Sequence, residues 1–100
     1  MRHTLVTYTV KPGREQENAA LVRAVFEELA QTRPQGLRYA VFYVPDSRQF
    51  IHLYTDEGGT TDVQGLDSFK AFVAGAEDRH EQPATFTKPE LISDYRTFDE

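Results

Sequence analysis

The sequence predicts an α+β domain in which strand-like and helix-like segments follow one another in the order βαββαβ. Apolar residues alternate at a period of two in four segments and recur at helical spacing in two others. Proline, glycine and small polar residues stand between these segments. The 100 residues contain no repeat, low-complexity tract or internal linker, so a single domain spanning 1–100 is expected.

The first strand and the first helix are predicted on either side of a Lys11-Pro12-Gly13 turn. The strand runs from Thr4 to Val10, and one of its faces carries Val6, Tyr8 and Val10. The helix runs from about Arg14 to Gln31 and is followed by Pro34 and Gly36, which favour its end. Its apolar stripe consists of Leu21, Val22, Val25, Phe26 and Leu29.

The second and third strands form a predicted hairpin. Leu37 to Val44 and Phe50 to Thr55 are the two arms, and Pro45-Asp46-Ser47-Arg48 has the composition of a turn. In the first arm one face carries Tyr39, Val41 and Tyr43, and the other carries Ala40, Phe42 and Val44. In the second arm one face carries Phe50, His52 and Tyr54, and the other carries Ile51 and Leu53. Apolar residues on both faces indicate that both faces are covered.

The last third of the chain predicts a loop, a helix and a weaker strand. Asp56 to Gly65 is polar and glycine-rich, which is typical of a loop. A helix capped by Asp67 or Ser68 is predicted to end near His80. One side of this helix is predicted to carry Phe69, Phe72, Val73 and Ala76. Thr85 to about Tyr95 reads as a strand that Pro89 interrupts, and Thr97 to Glu100 is expected to fray or to reach a partner.

This order of elements is that of a ferredoxin-like domain, with a four-stranded antiparallel sheet and both helices on one face. The other sheet face is apolar as well, so a monomer would expose a large apolar patch. A homodimer formed through the sheet face is therefore predicted, since two-fold pairing is the commonest closed solution.

Composition excludes several classes of partner. The formal charge is −5, from 16 acidic and 11 basic residues, and the basic residues form no cluster. Neither a nucleic-acid partner nor an anionic membrane surface is expected. The chain has no cysteine, which excludes disulfides and thiolate nucleophiles. Because neither a signal peptide nor a spanning helix is recognisable, the cytoplasm is the expected compartment.

Four stretches of the chain together carry a family resemblance. The first is LVTYTVKPGR (5–14), a strand that runs through a KPG turn into a helix. The second is the central strand FIHLY (50–54). The others are LDSFKAF (66–72) and RHEQP (79–83). In these stretches and in the order of its elements, the chain resembles the antibiotic-biosynthesis-monooxygenase-like (ABM-like) proteins of the dimeric α/β-barrel superfamily. The resemblance covers nearly the whole chain and implies a dimeric α/β barrel.

The resemblance also implies a range of activities. Members of the superfamily include cofactor-independent monooxygenases that oxidise phenols or quinols, so a small aromatic or quinol-type substrate and no cofactor are implied. The haem-degrading branch is least similar, because the first strand has no asparagine and the chain has no tryptophan. The alternative is a non-catalytic dimeric protein that binds a small ligand or responds to stress. Both functions stay open here.

His52 is the candidate catalytic residue. A mid-strand histidine can act as a general base for a phenolic substrate, since its ordinary pKa lies near neutral pH. The alternative is a hydrogen-bonded histidine packed at the sheet or the dimer interface. The candidate substrate-binding residues are Tyr8, Tyr43, Tyr54, Phe69 and Phe72, and Tyr39 can join them in lining a pocket. The alternative for these aromatic residues is sheet and core packing.

The other two histidines add little. His80 follows the acidic pair Glu77 and Asp78, and a solvated helix cap is the interpretation weighed against a ligand or base. His3, His52 and His80 lack metal-ligand spacing, so no metal site is predicted.

Overall fold

The computed structural model of the chain describes residues 2–56 and 63–97. The strands in this part of the chain are β1 (Arg2–Thr9), β2 (Leu37–Val44), β3 (Gln49–Asp56) and β4 (Thr85–Thr87). The helices are α1 (Glu15–Thr32), α2 (Asp67–Ala74) and α3 (Ala76–Arg79). Two short 3₁₀ turns lie at Pro45–Ser47 and Val63–Gly65.

The strands form one antiparallel sheet in the order β2-β3-β1-β4. The helices pack on one face of it, so the predicted α+β, ferredoxin-like architecture is confirmed. The register places Val6 of β1 opposite His52 of β3 and Phe86 of β4. The core between the sheet and the helices consists of Tyr8, Val10, Val22, Val25, Phe50, Leu66 and Phe72.

Helix α1 lies within one residue of its predicted bounds at each end. It ends at Arg33, which adopts the left-handed conformation with φ 48° and donates its N–H to the Leu29 carbonyl at 2.8 Å. Pro34 follows and cannot continue the helix. No helix in the described ranges is long and apolar enough to span a bilayer.

The second helix differs from its prediction in its continuity and in its N-terminal cap. It is interrupted at Gly75, so α2 and the four-residue α3 replace one continuous helix. Its N-cap is Leu66, and neither Asp67 nor Ser68 supplies a capping bond of its own. Instead, the Ser68 N–H and hydroxyl both donate to Oε1 of Glu28 on α1, at 3.0 and 2.6 Å. A carboxylate from the neighbouring helix thus satisfies a free N–H in the first turn.

Val73 was predicted on the buried side of this helix, but its side chain is 51% exposed. The residue lies next to the buried Phe72, and one step along a helix turns a side chain through about 100°. The helix therefore buries a narrower face than the sequence pattern suggested.

The last strand is shorter than predicted. Only Thr85–Thr87 pairs with β1, and 88–97 forms neither helix nor strand. Pro89 lacks the N–H that a longer ladder needs, and β4 is an edge strand. Asp56, predicted as the first residue of the loop from Asp56 to Gly65, belongs to β3 instead. Residues 57–62 of the predicted loop, like 98–100 of the predicted fraying end, lie outside the described residues.

The sheet face that points away from the helices is apolar. Cross-strand neighbours such as Leu5, Leu53 and Ala40 share one row on this face, since paired residues point the same way. The face carries Leu5, Ala40, Phe42, Val44, Ile51 and Leu53. Apart from the exposed Phe42, these side chains are only half-buried.

Candidate active site

His52 lies at the centre of the helix-facing side of the sheet. It stands opposite Val6 and Val41 in the neighbouring strands, and Phe72 of α2 covers it with ring centroids 5.6 Å apart. Only 4% of the residue is exposed. Because successive side chains of a strand point to opposite faces of the sheet, His52 points into the core, away from the apolar face that was predicted to form the dimer.

Both ring nitrogens of His52 are hydrogen-bonded to tyrosine hydroxyls. Tyr8 Oη lies 2.8 Å from Nε2, and Tyr39 Oη lies 2.8 Å from Nδ1. The two tyrosines come from the strands on either side of β3, at positions that share its helix-facing side. Strand pairing therefore fixes the imidazole between two phenols.

Asn18 and Arg79 extend the hydrogen bonds beyond Tyr8. The Asn18 amide nitrogen donates to Tyr8 Oη at 2.9 Å, and Arg79 Nε donates to Asn18 Oδ1 at 3.1 Å. Arg79 Nη2 also donates to the Phe72 carbonyl at 2.6 Å, and its guanidinium lies 5.2 Å from the centroid of the Phe72 ring. Asn18 is fully buried and Arg79 is 2% exposed.

The break at Gly75 makes room for Arg79. A Cβ at residue 75 would lie 2.8 Å from Nη1 of Arg79. After α3, the Lys11 N–H donates to the Arg79 carbonyl at 2.8 Å, which ties the chain to the end of β1. Gly75 and this backbone bond together hold the guanidinium inside the domain.

His80 is buried, so the interpretation of a solvated helix cap is wrong. The residue leaves α3 in an extended conformation and forms a bridge with Val10, which turns its ring inward. The ring stacks on Tyr8 with centroids 4.0 Å apart and is 9% exposed. Within the described part of the chain, its Nε2 is buried without a hydrogen-bond partner.

His52, His80, Tyr8, Tyr39, Asn18 and Arg79 form one buried cluster. Burial keeps its histidines and tyrosines uncharged at neutral pH. Burial, with a smaller contribution from His80, lowers the pKa of His52 to about 4. Burial raises the pKa of Tyr8 to about 12, although Asn18 and Arg79 pull it down, and it also raises the pKa of Tyr39. Burial, then the charge of Arg79, lowers the pKa of His80. The guanidinium stays charged, and no described carboxylate forms an ion pair with it.

A groove of about 280 Å³ opens between α1 and β2, beside this cluster. Its lining consists of Ala19, Val22, Arg23, Phe26, Val41, Tyr43 and Phe50. Phe50 stacks on Tyr8 at 5.6 Å, and Phe26 packs on Tyr39 at 4.8 Å. The groove wall is therefore in direct contact with both tyrosines that bind His52. Its lining is largely apolar, with one guanidinium and one phenol.

The structure brings together only part of the predicted site. Tyr8 and Phe72 contact the His52 ring directly. Phe69 reaches it only through Phe72, with those two rings 6.1 Å apart. Tyr54 packs edge-on against Tyr39 at 5.6 Å, whereas Tyr43 lines the groove against Phe50 at 4.7 Å.

Sequence reasoning missed Asn18 and Arg79. A signal for Asn18 was present, because it precedes Val22, Val25 and Leu29 by four, seven and eleven residues and so falls on the apolar stripe of α1. Arg79 stands in the charged run EDRH and gave no such signal.

No group of three histidine, aspartate or glutamate side chains is placed to hold a metal ion within residues 2–56 and 63–97. His3 is remote from His52, because it lies on the opposite sheet face and bonds Thr55 Oγ1 through Nδ1 at 2.8 Å. His80 is the histidine that shares the cluster, through its contact with Tyr8.

Solved structures share this fold. An antibiotic biosynthesis monooxygenase superposes with a TM-score of 0.72 at 15% identity, over 93% of this chain and 100% of that one. Rv0793 from Mycobacterium tuberculosis gives 0.71 at 14% identity, over 93% and 96%. PA3566 from Pseudomonas aeruginosa gives 0.71 at 20% identity, over 92% and 95%. The chain matches no protein-family model and no curated protein. The predicted likeness to ABM-like proteins is thus confirmed for the fold.

Proposed function

We propose that this chain is a cofactor-independent monooxygenase that acts on a small aromatic or quinol-type substrate. The observation that carries the proposal is the neutral imidazole of His52, held between the hydroxyls of Tyr8 and Tyr39 beside an apolar groove. The shared fold with an antibiotic biosynthesis monooxygenase supports the same reaction class. Fold alone does not dictate activity, so the residues around His52 must support the reaction themselves.

The chemistry needs a substrate that itself supplies electrons to dioxygen. A phenol or related enol becomes electron-rich when its O–H proton leaves, and the resulting anion reduces dioxygen. One oxygen atom then bonds to the ring carbon, and the other leaves as water with two hydrogens from the substrate. The product is a quinone. The protein must seat the ring, exclude water and move the proton.

His52 is suited to moving a proton without acquiring a lasting charge. A neutral imidazole has one N–H and one free nitrogen, so His52 bonds to both Tyr8 and Tyr39 without a charge, and passing a proton between them requires the imidazole to exchange its tautomers. Because its pKa is lowered to about 4, His52 is unprotonated and ready to accept at neutral pH. The same low pKa makes it a poor store for a proton, which favours acidic, activated phenols as substrates.

The groove supplies the apolar seat. Phe26, Val41 and Phe50 form flat and branched walls, which suit an aromatic ring. Tyr43 adds a hydroxyl to this lining, and Arg23 adds the cation for a substituent of negative charge. The predicted substrate-binding roles of Tyr54, Phe69 and Phe72 are then supporting ones, through Tyr39 and His52.

Oxygen uptake tests the proposal. Purified protein is given a panel of phenols, quinols and anthrone-like ketones, and the expected result is one dioxygen consumed per quinone formed, without added cofactor. His52→Ala should abolish turnover. His3→Ala is the matched control, because it removes a histidine from the opposite sheet face. Turnover that persists in His52→Ala would remove His52 from the mechanism.

One observation favours a second function, that of a non-catalytic dimeric protein that binds a small ligand. Both nitrogens of His52 have partners and the ring is buried, as in a histidine that serves packing alone. On this proposal the substrate panel is inert, and His52→Ala lowers stability without changing any rate. Reproducible oxygen uptake with a single phenol or quinol decides against it.

We also propose that the chain pairs as a homodimer through the apolar sheet face. The row formed by Leu5, Leu53 and Ala40 would otherwise stay in contact with water. Leu53→Lys should give a folded monomer in size-exclusion chromatography with light scattering, whereas Ala20→Lys, on the exposed side of α1, should leave the dimer intact. A monomeric wild-type protein refutes this pairing. A cytoplasmic location and the absence of a nucleic-acid partner remain predictions from the sequence.

A further inference from the structure

The hydrogen bonds from Arg79 to Tyr39 form a single chain with a defined direction. We propose that Arg79 and Asn18 are positioning residues that fix this direction, so that the Tyr39 hydroxyl donates a hydrogen bond to an oxygen of the bound aromatic ligand. The ligand part of this inference rests on the proposed function. The direction of the chain does not, since it follows from the chemistry of the buried groups.

The direction begins at Arg79. A guanidinium has N–H donors and no acceptor, so Asn18 must present its carbonyl oxygen to Arg79 Nε, 3.1 Å away. This orientation leaves the amide nitrogen facing Tyr8 Oη at 2.9 Å, and an amide nitrogen only donates. The assignment of the Asn18 oxygen and nitrogen is therefore dictated by its charged neighbour.

Tyr8 accepts a hydrogen bond from Asn18 and donates one to His52. Its oxygen accepts from Asn18, and the acceptor within reach of its own proton is His52 Nε2 at 2.8 Å. The opposite arrangement would place a proton on Nε2 and leave the buried Tyr8 proton without an acceptor in the described part of the chain. A buried hydroxyl proton left unbonded is costly. His52 therefore carries its proton on Nδ1.

Tyr39 is the free end of the chain. The Nδ1–H of His52 donates to Tyr39 Oη at 2.8 Å, so the proton of Tyr39 points to some other acceptor. Among the described residues no second hydrogen bond involves this hydroxyl. Its ring is half-buried and packs on Phe26, which lines the groove. A phenolate or quinone oxygen can accept this hydrogen bond.

Nitrogen-15 NMR of the histidine rings tests the direction without any activity assay. At about pH 7, wild-type His52 should show a protonated Nδ1 and an unprotonated Nε2. The variant Asn18→Asp should reverse this pattern. Its carboxylate pairs with Arg79 and accepts from Tyr8, so Tyr8 no longer donates to Nε2 and the His52 proton moves there. Tyr39 then donates to Nδ1 and is no longer available to a ligand.

The control for this reversal is the same substitution in a protein that lacks the hydrogen bond from Tyr8 to His52. In a Tyr8→Phe background, Asn18→Asp should leave the His52 tautomer unchanged. An Nε2-protonated His52 in the wild-type protein would overturn the proposed direction, even if Asn18→Asp failed to fold. An unchanged tautomer in a folded Asn18→Asp variant would remove Asn18 and Arg79 as positioning residues.

Binding of para-nitrophenolate, followed by its absorbance, tests the ligand part. Tyr39→Phe and Asn18→Asp should each weaken binding by about threefold to tenfold, which is the value of one hydrogen bond. Combining them should weaken binding no further, because both remove the same donor. Equal binding by the wild-type protein and Tyr39→Phe, or no binding by either, overturns the role of Tyr39 as donor. Turnover is measured separately, so loss of the proposed reaction leaves the tautomer result intact.

Discussion

Because His52 is buried in its uncharged form, the stability of this domain depends on pH within a narrow window. Burial lowers the pKa of His52 from 6.5 to about 4 in the folded protein. The unfolded chain therefore takes up the proton first, and stability falls as pH falls from about 6.5 to about 4. Above this window the contribution of His52 is complete, and below it both states are protonated and no more is lost.

The magnitude follows from the difference between the two pKa values. One pKa unit corresponds to about 1.36 kcal/mol, so the shift from 6.5 to about 4 corresponds to about 3 kcal/mol in total. About 2.5 kcal/mol of this is lost by about pH 4.5. The hydrogen bonds give the same sign, because a proton on Nε2 would force Tyr8 to turn its own proton away toward the Asn18 donor.

Urea unfolding at about pH 7 and about pH 4.5 measures this loss. Carboxylates such as Glu28 titrate as well, so the informative quantity is the difference between the wild-type protein and His52→Gln, which does not titrate. The wild-type protein should lose about 2.5 kcal/mol more than the variant. Equal losses, or a His52 pKa near its ordinary value in an NMR titration, would refute the argument from burial.

Two further predictions concern the packing of the helices. Gly75→Ala should lower the free energy of unfolding in urea by about 1–3 kcal/mol, because its Cβ would lie 2.8 Å from a guanidinium nitrogen of the buried Arg79. Gly65→Ala is the control, since its Cβ meets nothing within 4 Å, and it should change stability by less than about 0.5 kcal/mol. Glu28→Gln should lower the melting temperature near neutral pH by weakening the bonds to Ser68. Those bonds lower the pKa of Glu28 below 4.5, so the difference from wild type should shrink as pH falls through this lowered pKa, and a constant difference would contradict it.

The elements that depend on short-range pattern were predictable. The alternation in β1 and in the hairpin gave the strands and the residues that share a face within each of them, and the apolar stripe gave α1 to within one residue at each end. These signals lie in the spacing of neighbouring residues, and each face of a strand or helix must find cover. The sheet order then follows from the connections of a βαββαβ chain.

The interior of the site was less predictable, because it depends on contacts between distant parts of the chain. Helical periodicity continued through Gly75, and the break there accommodates the Arg79 guanidinium, a contact that the spacing of apolar residues does not reveal. Sequence predicted His80 in solvent, and its bridge to Val10 instead places it on Tyr8. A charged residue in a polar stretch is predicted to lie on the surface unless its buried partners are known.

The cost of the buried polar chain argues for a role beyond packing. Arg79 is buried without an ion pair to any described carboxylate, and well-packed apolar residues often replace buried charges at no loss of stability. A chain of donors that ends at the half-buried Tyr39 is what a ligand oxygen requires. A binding protein needs only that final donor, whereas a proton relay also needs His52 to exchange its tautomers. Substituting His52 by Gln therefore separates the two functions. If the protein only binds a ligand, binding survives in His52→Gln; if it is a monooxygenase, His52→Gln loses turnover.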